Sequence, residues 1–174
     1  MINGSVIMGF KHYLATALGL IGSVSAAQLE QVTDFGDNPS GALMYIYVPD
    51  NLQPEPAVVV AVHYCTGTAQ AYYQNTAWAQ LSEEHNFIVI YPESPYDGKC
   101  WDVSSDASLT HNGGGNSNAI ANMVTYTLET YSADASRVFA TGTSSGAMMT
   151  VRDIMLAFSS RFWYDRGSHA DRFT

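Results

Sequence analysis

Apolar positions along the chain fall into short runs, and nearly every run stops at a turn-forming residue. Leu43 to Val48 reads as a half-buried strand closed by Pro49. Pro56 opens the run Ala57 to Tyr64, whose length and β-branched content predict a strand covered on both faces. Gly67 to Glu84 then predicts one helix, with Tyr73, Ala77 and Leu81 spaced four apart. Phe87 to Tyr91 predicts a further buried strand stopped by Pro92. A long Gly-, Ser- and Asp-containing loop follows. Ile120, Met123, Val124, Leu128 and Tyr131 then form the stripe of an amphipathic helix, with Asn116 or Ser117 as its cap. Arg137 to Thr141 is the last strand. This alternation of strands and helices, ending at an elbow, predicts an α/β sheet in a single domain.

The two ends differ from this middle. Residues 1–27 hold no acid and one Lys, followed by the apolar stretch Leu14 to Ile21 and the small residues Ser23 to Ala27. That is the layout of a signal peptide, residues 1–27, cut near Ala27 with Ser25 and Ala27 as the small residues before the cut. The apolar stretch is shorter than the ~18 residues a membrane-spanning helix needs, so no membrane partner is expected after cleavage. Residues 28–150 carry 13 acidic and two basic side chains, Lys99 and Arg137, whereas the last 24 residues carry four Arg and three Asp. Residues 151–174 therefore read as an aberrant tail, of the kind that unspliced intron or a mistaken gene model appends. The net charge of −9 excludes nucleic acid as a natural partner. Two cysteines are too few for a disulfide-stapled miniature fold.

Chemistry enters where the last strand ends. Gly142-Thr143-Ser144-Ser145-Gly146 fits G-x-S-x-G directly after a strand and before the helix-compatible Ala147-Met148-Met149. A serine hydroxyl acts as a nucleophile only when its oxygen projects toward a base, and a tight strand-to-helix turn gives that projection. Ser144 is the expected nucleophile. The Ser145 amide is the expected first oxyanion donor, with the following helix adding the positive end of its dipole. The second donor should lie in His63-Tyr64-Cys65-Thr66-Gly67, at the amide of Cys65 or else of Thr66. His63 ends a buried strand upstream of the serine, against the serine, acid, histidine order of such folds, and is expected to be a packed, hydrogen-bonded residue. His111-Asn112-Gly113-Gly114-Gly115 precedes the wrong helix for an oxyanion loop and lacks the strand a dinucleotide site requires. No His, Cys and carboxylate set has metal-ligand spacing, so no metal is expected. Cys65 and Cys100 are either bridged across neighbouring loops or two separate buried thiols. Tyr72, Tyr73, Tyr96 and Trp101, if exposed, would offer a platform for sugar rings.

With the elbow and the His-Tyr-Cys-Thr-Gly loop in place, residues 28–150 resemble the fungal acetylxylan esterases of carbohydrate esterase family 1, a group related to feruloyl esterases and polyhydroxybutyrate depolymerases. The resemblance rests on Gln31 to Pro39, Met44 to Pro49, Val62 to Thr68, Tyr91 to Pro95, Cys100 to Ser105, Leu109 to Gly115 and Thr141 to Met149. It implies the N-terminal part of an α/β-hydrolase fold with a mostly parallel sheet. It further implies secretion, no cofactor, acetylated xylan as substrate, Ser144 as nucleophile and a Cys65–Cys100 disulfide. Members of the group continue through further strands that deliver an acid and a histidine. Here only 30 residues follow Ser144, and Asp165 and His169 fall in the tail, so the triad Asp and His are expected to be absent and the chain as written inactive. Apolar faces left without cover should make it poorly soluble. Two other readings compete: a non-catalytic carbohydrate-binding remnant, and a feruloyl esterase or polyester depolymerase of the same fold.

Overall fold

The computed structural model describes residue 1 and residues 27–150. Residues 2–26 of the expected leader and the whole tail, with Asp165 and His169, lie outside the described residues.

Among the described residues, five strands form one sheet in the order β1-β2-β4-β3-β5: β1 Glu30–Val32, β2 Leu43–Tyr47, β3 Ala57–Val62, β4 Phe87–Glu93 and β5 Val138–Gly142. β3 pairs in parallel with β4 and β5, while β2 pairs antiparallel with both β1 and β4. Four strands therefore run one way and only β2 opposes them. The period-2 geometry of a strand sends alternate residues of β3 to opposite faces. Val58, Val60 and Val62 join Met44, Ile46, Ile88, Ile90 and the helix residues Ile120, Met123 and Val124 in the larger core. Ala61 faces the other way, with Tyr47, Val89, Tyr91, Ala69 and Tyr72. Both faces are covered, as the β-branched run in β3 requires.

Four expectations need correction. The single helix over 67–84 is two, α1 Ala69–Asn75 and α2 Trp78–His85. Thr76 breaks it by turning extended (φ −126°, ψ 159°) and donating its hydroxyl to the Tyr72 carbonyl at 2.6 Å. Ala77, placed on the buried stripe, is exposed in the break. Pro92 does not stop β4, which pairs Pro92 with Met44. The parallel ladder with β3 has ended by Ile90, so the missing proline N–H breaks no bond on that side. A short helix, α3 Asp106–Leu109, interrupts the long loop. The amphipathic helix, α4 Asn116–Tyr131, is present, but its N-cap is Gly115. Asn116 and Ser117 are inside the first turn, where Asn116 accepts from the Asp102 amide at 3.1 Å and Ser117 donates to the Ser108 carbonyl at 2.6 Å.

β5 lies at the sheet edge and leads into α5, Ser145–Met149. Phe139 on β5 is 57% exposed and Met148 on α5 is 61% exposed.

Candidate active site

The elbow forms where β5 meets α5. Ser144 takes φ 54° and ψ −120°, a conformation that costs an L-residue ~1–3 kcal/mol and persists only where the surroundings enforce it. The enforcement is visible. The Thr143 amide donates to the Val62 carbonyl at 3.2 Å, tying the turn to the end of β3. The Thr143 hydroxyl lies 3.0 Å from the Tyr72 hydroxyl on α1. A Cβ on Gly146 would press into the carbonyl oxygens of Val62 and His63, and one on Gly142 into the Gly146 backbone. Only glycine allows either approach. Ser144 is exposed, and among the described residues its side chain makes no hydrogen bond; Ser145 beside it is 7% exposed with its hydroxyl unpartnered.

The neighbouring loop, residues 63–67, is sewn to residues 94–101. Cys65 and Cys100 are joined in a disulfide, which resolves the alternative left open between a bridge and free thiols. The Thr66 amide donates to the Gly98 carbonyl at 2.9 Å and is thereby occupied. No backbone acceptor engages the Cys65 amide among the described residues, so of the two donors considered Cys65 is the one left available. The loop has a further restraint in Glu93, which sequence reasoning missed. Its carboxylate accepts from the Ala69 amide at 2.9 Å and from Lys99 Nζ at 3.0 Å. The available signal was a glutamate ending a buried strand in a segment whose only lysine is Lys99.

His63 is the packed residue expected of it. It is fully buried, its Nδ1 lies 2.7 Å from the Tyr64 carbonyl and its Nε2 lies 3.1 Å from the Ser94 amide. The amide must donate, so Nε2 accepts and Nδ1 carries the proton. Burial pushes the His63 pKa down, against the opposing influence of the Tyr64 carbonyl and Glu93. A neutral ring with both nitrogens committed is not positioned to take a proton from Ser144.

The aromatic platform is not assembled. Tyr72 and Trp101 are buried at 5% and 4% exposure, Trp101 donating its indole N–H to the His63 carbonyl at 2.9 Å. Tyr73 packs between Tyr47 and Tyr91, leaving Tyr96 exposed. Among the described residues no group of His, Cys, Asp and Glu is arranged to hold a metal, and no helix is long and apolar enough to cross a membrane.

The chain is similar to known proteins in sequence and in fold. The chain is 74% identical over 125 residues to acetylxylan esterase A of Aspergillus oryzae, which is 72% of this chain and 41% of that protein. To acetylxylan esterase A of Talaromyces purpureogenus it is 68% identical over 127 residues, 73% of this chain and 33% of that protein. The solved acetyl xylan esterase from Aspergillus awamori superposes with a TM-score of 0.70 at 67% identity, over 71% of this chain and 45% of that one. LpqC, a poly(3-hydroxybutyrate) depolymerase from Bordetella parapertussis, is 18% identical with a TM-score of 0.52, over 72% of this chain and 45% of that one, and shares the fold. The chain thus spans less than half the length of these relatives. Its five strands and flanking helices correspond to an N-terminal part of their α/β-hydrolase fold. The family model described as Esterase PHB depolymerase matches residues 42–167, and the chain belongs to that family of esterases.

Proposed function

We propose that the protein is a secreted serine esterase that removes acetyl groups from xylan, with Ser144 as its nucleophile. The observation that carries this reading is the conformation of Ser144: a strained, exposed residue at a strand-to-helix turn, held against the end of β3 where the Cys65 loop begins. Strain of this kind concentrates where it serves a mechanism. The names of the relatives supply the substrate class, acetylated xylan.

In this mechanism the Ser144 oxygen attacks the acetyl carbonyl while a histidine from outside the described residues takes its proton. An Asp, likewise from outside them, orients that ring. The amides of Ser145 and Cys65 hold the oxyanion, and the disulfide and Glu93 keep the Cys65 loop in place as charge develops. The sugar hydroxyl leaves first, and water then releases acetate and restores Ser144. The reaction uses no cofactor. The leader read in residues 1–27 directs the protein outside the cell, where xylan is found.

The test is a graft joining residues 27–150 to the remainder of the Aspergillus oryzae relative, assayed on acetylated xylan, a feruloyl ester and a polyhydroxybutyrate film. Acetate release in clear preference to the other two supports the reading. Preference for the feruloyl ester or the film replaces it with the competing esterase class.

A further inference from the structure

The leader can be cut at either of two bonds. Cleavage after Ala26 places Val24 and Ala26 before the cut, and cleavage after Ala27 places Ser25 and Ala27 there; both are small enough for an A-x-A-like site. The two products differ in chemistry. A cut after Ala27 exposes Gln28, whose α-amino nitrogen can attack its own side-chain amide carbon, expel ammonia and leave an uncharged lactam. A cut after Ala26 adds water across the Ala26–Ala27 peptide, leaving a carboxylate on the leader and an α-ammonium on Ala27.

The fold has a place for the second product. The Ala27 nitrogen lies 2.8 Å from Asp50 Oδ1, and Ala27 packs with Leu29 against the core on the α1 face of the sheet. Asp50 sits in acidic surroundings: its own amide donates to both oxygens of Glu83, at 3.2 and 3.4 Å, and Tyr47 donates to the same carboxylate at 2.8 Å. Glu30 lines the same cleft as Ala27 and Asp50. The sequence between Lys11 and Lys99 holds no Lys or Arg. An α-ammonium at Ala27 supplies a cation at hydrogen-bond distance from Asp50, whereas a cut after Ala27 removes that nitrogen and cyclisation of Gln28 then removes the charge.

We infer that the leader is removed at the Ala26–Ala27 bond and that the new α-ammonium of Ala27 pairs with Asp50. This rests on the secretion proposed above. The chain is expressed with its own leader in a filamentous fungus, and the N-terminus of the protein in the medium is sequenced. Translation with microsomes reads the same cut without requiring the product to fold. Both should begin at Ala27. A start at Gln28, free or cyclised, overturns the inference while leaving secretion intact; protein kept in the cell with residues 1–26 attached overturns secretion as well. In the secreted protein, acylation of the α-amino group near neutral pH should be several-fold faster in Asp50→Asn, because the pair holds the amine protonated. Equal rates would contradict the pairing.

Discussion

The imidazole of His63 and the backbone amide of Ser94 meet at 3.1 Å with the ring nitrogen accepting, which joins the end of β3 to the loop that carries the disulfide. That bond exists only while His63 is neutral. In the unfolded chain the ring titrates near 6.5, and burial in the fold pushes its pKa below that. The folded state therefore binds fewer protons than the unfolded one at mildly acidic pH. Its contribution to stability is complete above about 6.5 and is lost as pH falls through the depressed folded value. The urea midpoint should drop as the pH is lowered below about 6.5, and His63→Gln should flatten that slope even though it lowers the midpoint itself.

The Cys65–Cys100 disulfide closes a loop with a sequence separation of 35. The chain-entropy account assigns such a closure about 4 kcal/mol, and measured values for native bridges run from about 2 to 5. Replacing both cysteines by alanine should lower unfolding stability by about 2–4 kcal/mol, read from denaturant midpoints. An unchanged midpoint would mean that the hydrogen bonds of Thr66 and Ala69 hold the loop without it.

Strain at Ser144 has a thermodynamic signature. Glycine tolerates φ 54° without a Cβ penalty, and alanine does not. Ser144→Gly should therefore exceed Ser144→Ala in stability by about 1 kcal/mol, measured by thermal or urea unfolding. Equal stability of the two variants would show that the turn is not strained.

Much of the fold was legible because β-branched runs, proline stops and a helical stripe are local signals. β2, β3, β5, α4 and the elbow all fall where Leu43 to Val48, Ala57 to Tyr64, Arg137 to Thr141, Ile120 to Tyr131 and Gly142 to Gly146 predict them. What stayed hidden depends on contacts distant in sequence. Pro92 reads as a breaker until the end of the β3 ladder is known. Thr76 splits a helix through a bond to Tyr72 that a spacing of four does not reveal. β1, three residues with largely exposed side chains, has no periodic signal at all. At the site, Ser144 and the Cys65 loop were legible from motif and context, whereas Glu93 was not. Its role comes from a helix amide and a lysine brought to it by the fold. Tyr72 and Trp101 looked available for sugar binding only because composition does not distinguish a buried ring from an exposed one.

The most direct test of the central claim, that the Ser144 oxygen attacks the ester, is acetate release from acetylated xylan by the graft of residues 27–150 onto the Aspergillus oryzae relative, with serine and with alanine at position 144. Both forms should fold to the same far-ultraviolet dichroism, and the alanine form should lose roughly 10⁴-fold or more in rate. A folded graft that is inactive with serine, or an alanine form within about tenfold of the serine form, would contradict the account.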